Sequence, residues 1–163
     1  MKKGFTMIEL IFVIVILGIL ASVAVPRLAG TKADAEESAA VANLRTLVSD
    51  LNTYYVATGD IPDTTTWNQI TNVPLEGATE KAVNGTANAY LTVGDDKQCI
   101  GFNIVRETGD VPAYIKFTKN ASAKGVCDKV LKAKSVEAYL NSKVDGVTDA
   151  GAMPIGSSIK LKR

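Results

Sequence analysis

Hydrophobic and polar positions change their rhythm along this chain, and each change marks an element. Leu10 to Pro26 run seventeen residues without a formal charge. At 1.5 Å per residue they reach ~26 Å, and with Phe5 to Ile8 added the run fits the ~30 Å hydrocarbon core of a bilayer. From Leu28 the composition turns to Lys, Asp, Glu, Ser and Ala, and the apolar residues thin to a stripe at Val41, Leu44, Leu47, Val48, Leu51, Tyr54 and Tyr55. Spacings of three, four and seven put one apolar face on a helix, with Arg45, Ser49, Asp50 and Asn52 largely opposite. One helix is therefore predicted from Phe5 to about Ala57, ~80 Å long. Residues 5–27 are its membrane half and 28–57 its amphipathic half. Gly59-Asp60-Ile61-Pro62-Asp63 stops it with a glycine and a proline.

Residues 58–163 suffice for one small domain, and the amphipathic stripe needs such a body to cover it. Thr64 to Asn88 is polar, with Trp67, Ile70, Val73 and Leu75 as its large anchors. It reads as a long helix-to-sheet loop with a helical turn around Trp67, of a length associated with subunit contact or exposed variable surface. Strands are predicted at Tyr90 to Val93, Gln98 to Val105 and Ala113 to Thr118, the last two alternating in period two and joined by a turn at Thr108-Gly109-Asp110. Val126, Val130, Ala133, Val136, Leu140 and Val144 return to steps of three and four, predicting a second, shorter helix. Ser157 to Lys162 reads as a closing strand. The fold class is α+β, a long N-terminal helix packed on a small antiparallel sheet.

Charge sets the topology of the apolar run. Lys2 and Lys3 are the only charges ahead of Glu9, and cytoplasmic flanks carry the excess of lysine and arginine, so the N-terminus is expected in the cytoplasm and the tail exported. A cleavable secretory signal is the rival, with Ala21-Ser22-Val23-Ala24 as a small-residue cleavage site. Against it, the helical pattern continues past that point. Gly18, Pro26 and Gly30 qualify the helix, since proline removes a donor and glycine costs ~1 kcal/mol, so it should bend or loosen between Gly18 and Pro26.

The exceptional position is Glu9, a carboxylate five residues after Gly4 that must enter the apolar run or find a cationic partner. At the middle of a spanning helix a charge costs ~3 kcal/mol, but near the end it reaches water. Thr6-x-x-Glu9 also fits a capping box, and a plain signal anchor with a snorkelling glutamate is a further reading. The stretch Gly4-Phe5-Thr6-Met7-Ile8-Glu9-Leu10 resembles the processing site of the type IV pilin and type II secretion pseudopilin superfamily. That resemblance covers about the first third of the chain. It implies a leader of residues 1–4, cleavage between Gly4 and Phe5, N-methylation of Phe5 and pairing of Glu9 with the Phe5 amine of a neighbouring subunit. It further implies a type IV pilin-like fold, loosening between Gly18 and Pro26 in the assembled state, and a filament that is a helical homopolymer. The implied partners are a prepilin peptidase and N-methyltransferase, an inner-membrane assembly platform with its ATPase, and minor pilins. A pseudopilin of a secretion or DNA-uptake system and a monomeric membrane-anchored binding protein are the alternatives.

Cys99 and Cys127, in an exported domain, are most simply a disulfide, with two buried free thiols as the alternative. Many type IV pilins are similar in carrying a cysteine pair that staples the C-terminal region, whereas the typical major pseudopilin lacks it. Enzymatic chemistry finds little here. The chain has no histidine, which removes histidine-based triads and imidazole metal sites, the cysteines lack zinc spacing, and no cofactor or phosphate-cradling motif occurs. Asp95-Asp96 and Asp145 to Asp149 are carboxylates of the kind that ligate calcium, but their spacing does not fit a calcium loop and solvated turns are the favoured reading. Asn84-Gly85-Thr86 and Asn120-Ala121-Ser122 match a glycosylation tripeptide to which no role is assigned. Charge is divided: residues 27–109 hold six basic and eleven acidic side chains, residues 110–163 ten and five. Three meanings stand open: a solvated surface, complementarity between neighbouring subunits, or a DNA-contacting patch of Lys124, Lys129, Lys132, Lys134, Lys160, Lys162 and Arg163.

Overall fold

The computed structural model describes residues 5–83, 89–148 and 150–156. The strand expected at Ser157 to Lys162 lies outside them. Helix α1, Met7–Thr58, is continuous for 52 residues through Gly18 and Pro26. The missing amide of Pro26 leaves the Ser22 carbonyl without its usual partner, while the Ser22 hydroxyl donates to the Ile19 carbonyl at 2.7 Å. The chain divides into two compact units at Ala35. In the first, every side chain from Phe5 to Leu28 is exposed. An 18-residue window there has a mean hydropathy of 2.9, long and apolar enough to cross a membrane.

The second unit begins with the amphipathic part of α1. Ala40, Leu44, Leu47 and Leu51 are buried, and Val41, Val48, Tyr54 and Tyr55 pack beside them, as the stripe predicted. A one-turn helix α2 (Trp67–Ile70) follows, then β1 (Leu75–Glu76), β2 (Ala89–Val93), β3 (Asp96–Val105) and β4 (Tyr114–Lys119), helices α3 (Gly125–Lys132) and α4 (Lys134–Leu140), and β5 (Ala152–Pro154). The five strands form an antiparallel meander in the order β1-β2-β3-β4-β5. Thr108 and Val111 close the predicted β3–β4 turn.

Alternation assigns the sheet's two faces. Leu91 is paired with Ile100, Phe102 with Phe117 and Ile104 with Ile115, and all six are buried. Along this face the rings of Trp67, Phe102, Phe117 and Tyr139 succeed one another at 6.1, 5.9 and 5.5 Å, distances at which aromatic pairs add to plain area burial. The other face carries the rows Tyr90–Gly101–Thr118 and Asn103–Lys116. A Cβ on Gly101 would stand 2.5 Å from the Thr118 hydroxyl and 3.0 Å from the Tyr90 ring. Glycine is required there because a neighbouring ring covers its backbone.

Three expectations change. The second helix is two, because Ala133 takes an extended conformation (φ −63°, ψ 128°) between α3 and α4. The apolar steps persist because Val130 and Val136 are both fully buried from their separate helices. Val144, expected on that helix, is buried from the loop after it. Asp50 and Asn52 are not opposite the core but half-buried: Asp50 accepts from the Thr71 hydroxyl at 2.6 Å, and Asn52 accepts from the Gly156 amide at 2.8 Å. Each fastens a distant segment to α1.

Candidate processing and assembly site

The site begins where α1 begins. Thr6 precedes the first helical residue, and its amide and hydroxyl both donate to Glu9 Oε2, at 2.8 and 2.6 Å. The Glu9 amide returns a bond to the Thr6 hydroxyl at 3.3 Å, and the Leu10 amide donates to the Thr6 carbonyl at 3.2 Å. This is the reciprocal capping box read from Thr6-x-x-Glu9; it satisfies donors that a helix start otherwise leaves without partners. In the single chain the carboxylate thus has a local partner. It is also exposed, so its second oxygen is open to a cation from another molecule. Phe5 is 91% exposed. Gly4, Lys2 and Lys3 lie outside the described residues.

From Leu10 onward the same helix presents a largely apolar surface, with Leu10, Phe12, Ile14, Leu17, Leu20 and Val23 each more than half exposed. An isolated helix of this kind is unstable in water and needs lipid or like helices around it.

Cys99 and Cys127 are bonded, with Cα atoms 5.7 Å apart, and both are buried. They tie the start of α3 to β3. Elsewhere the structure describes only part of the sites that the sequence grouped. Lys124, Lys129, Lys132 and Lys134 are exposed on α3, α4 and the residue before them, and Lys132 donates to Asp128 at 2.7 Å; Lys160, Lys162 and Arg163 lie outside the described residues. The Asp96 carboxylate accepts from the Gln98 amide at 3.1 Å and from the Asn120 side chain at 3.3 Å. Asn120 Oδ1 in turn accepts from the Ser122 amide at 2.9 Å, so both ends of that amide serve the turn. Asp149 and the Asn84 tripeptide lie outside the described residues. Among the described residues no group of three or more histidine, cysteine or acidic side chains stands close enough to hold a metal.

One polar assembly had no sequence signal. Arg106, after β3, donates to the Ile61 carbonyl at 2.6 Å and pairs with Asp60 at 3.5 Å and Asp63 at 3.1 Å. It clips the segment that ends α1 to the end of the sheet, across forty-five residues of sequence.

Comparisons with known proteins bear on the same N-terminal segment. The family model for the prokaryotic N-terminal methylation motif matches residues 1–25. The chain therefore carries a prokaryotic N-terminal methylation motif and is similar, over part of its length, to proteins named as a type II secretion core protein and a fimbrial protein. Over 63 residues it is 43% identical to type II secretion system core protein G of Dickeya chrysanthemi, covering 39% of this chain and 41% of that one. The protein of the same name from Escherichia coli (strain K12) is 40% identical over 63 residues, 39% of this chain and 43% of the relative. A fimbrial protein of Neisseria meningitidis serogroup B is 36% identical over 95 residues, 56% of each chain. The chain thus aligns with between two fifths and just over half of these relatives' length. No solved structure matches it.

Proposed function

We propose that this protein is the structural subunit of a type IV pilus-like filament. It enters the inner membrane with a cytoplasmic N-terminus, is cleaved between Gly4 and Phe5 and N-methylated at Phe5 by a prepilin peptidase, and polymerises through residues 5–27 in the periplasm or at the cell surface. The observation that carries this reading is the coincidence of the methylation motif with a fully exposed apolar helix headed by Glu9. Lifted from lipid by an assembly platform and ATPase, that surface is covered by the same surface of other copies, and burial drives the association. Glu9 sets axial register by accepting the Phe5 amine of a neighbour on the oxygen that Thr6 leaves open. A head-to-tail contact that does not close gives a helical polymer. Gly18 and Pro26 mark where the helix loosens in that polymer. Minor pilins are further partners in this reading, and DNA is one only if the lysine patch proves to hold it.

A pseudopilin of a type II secretion or DNA-uptake system is equally supported, because the relatives include core protein G sequences; the bonded cysteine pair leans toward a pilus. Mass spectrometry of the mature N-terminus tests the shared step: methylated Phe5 is expected, and an intact Met1 or a start near Val25 would sink it. Glu9→Ala should insert and be cleaved yet give no filaments; normal filaments from that variant would remove the ion pair.

A further inference from the structure

Arg27 closes the apolar run of α1 at a definite height. The helix is continuous through Pro26, and just beyond it the Thr31 hydroxyl donates to the Arg27 and Leu28 carbonyls at 3.3 and 3.0 Å, so local bonds hold the turn that carries Arg27. From Met7, the first residue of α1, to Arg27 the axis rises about 30 Å, which is the thickness of a bilayer's hydrocarbon core. No side chain between Glu9 and Arg27 carries a formal charge. Arg27 is therefore the first cation past the apolar run, at the height where the headgroups opposite the N-terminus begin.

The side chain is exposed. Among the described residues its guanidinium makes no hydrogen bond or ion pair, whereas Lys32 and Asp34, the next charges along the helix, already have interactions within the chain. A carboxylate from another copy in the same membrane is out of reach, because copies side by side share a depth and Glu9 then lies ~27 Å lower. Drawing a cation into hydrocarbon is costly, so a long arginine side chain at this height turns outward to the headgroups. The acceptor abundant there is the phosphate of a phospholipid, whose oxygens match the planar guanidinium fork with two parallel N–H donors.

Resting on the membrane-inserted precursor of the filament reading, we infer that Arg27 binds the phosphate of a phospholipid headgroup in the leaflet opposite the N-terminus. The contact holds that end of the apolar helix at the membrane surface, while Lys2 and Lys3 precede the run at its other end. Attraction of one such cation to an anionic membrane surface is worth about fivefold in occupancy of the headgroup layer. A subunit leaving the bilayer gives this contact up.

The test places the full-length chain, carbon-13 labelled at arginine Cζ, in vesicles of phosphatidylethanolamine and phosphatidylglycerol free of inorganic phosphate. Solid-state NMR reads the dephasing of the arginine signal by lipid phosphorus, with Arg45, Arg106 and Arg163 as background. The parent should show a dephased component that Arg27→Leu lowers about fivefold, and that component should be absent in vesicles of galactosyl diacylglycerol, which carry no phosphate. Protection of residues 10–26 from protease in the same vesicles verifies that parent and variant are inserted. Equal dephasing in an inserted parent and an inserted Arg27→Leu overturns the inference and leaves the precursor reading intact. Dephasing that appears only when inorganic phosphate is added, in either kind of vesicle, overturns the lipid assignment and gives Arg27 to a free anion. A parent chain that carbonate washing strips from the vesicles would fail the membrane reading itself, and this contact with it.

Discussion

Replacing both disulfide cysteines, Cys99→Ala with Cys127→Ala, tests how much of the head's stability is topological. The bond joins residues 28 apart. For a loop of that length the chain-entropy expression gives about 12 cal/mol/K, or ~3.6 kcal/mol at 25 °C. Both sulfurs are buried, and removing them adds about 1 kcal/mol of lost packing, for a total near ~4.5 kcal/mol. With a urea m-value of ~2 kcal/mol/M, the unfolding midpoint should fall by about 2 M. Trp67 reports the transition, because it is the only tryptophan and is fully buried against Phe102. The full chain in detergent, unfolded in urea, should show this shift, and the parent unfolded with reductant present should approach the variant. A midpoint shift below about 0.5 M at an unchanged m-value would show that the loop between β3 and α3 is ordered by packing alone, and the reasoning would fail.

Other expectations follow from single contacts. Gly101→Ala should lower head stability by about 1–3 kcal/mol through overpacking against Tyr90 and Thr118, and Thr118→Ala in the same chain should recover part of the loss; equal midpoints for Gly101→Ala and the parent would contradict the contact. Asp50→Ala leaves the buried Thr71 hydroxyl without its acceptor and should cost about 1–2 kcal/mol in urea unfolding. Arg106→Met removes the bond to the Ile61 carbonyl, and faster amide exchange at residues 61–65 with little change at β3 should reveal a loosened segment; unchanged exchange would deny the clip.

The elements with strong periodicity were legible, and those fixed by partners were not. The α1 stripe, the β3–β4 hairpin and the turn at Trp67 each follow from local rules that a short window contains. The break at Ala133 is invisible because the apolar steps on either side still point to a common core, so a split helix and a continuous one leave the same pattern. Asp50 and Asn52 read as solvent-facing because composition cannot show that Thr71 and Gly156 arrive beside them. Arg106 is an ordinary surface arginine in sequence and becomes a clip only through residues forty-five positions away. At the head of α1, the capping box that Thr6-x-x-Glu9 offered as one reading of Glu9 was legible because an i, i+3 bond is local.

The linear order of residues alone determined that a long apolar helix starts this chain, that a carboxylate sits at its head within a methylation motif, and that a small α+β body follows. Periodicity, length against bilayer thickness and motif spacing are properties of neighbouring residues, so no fold is needed to read them. The tertiary structure decided that Cys99 meets Cys127 and that polar side chains of α1 fasten distant loops. Those facts depend on which remote segments pack together, and only the closing of the core settles that.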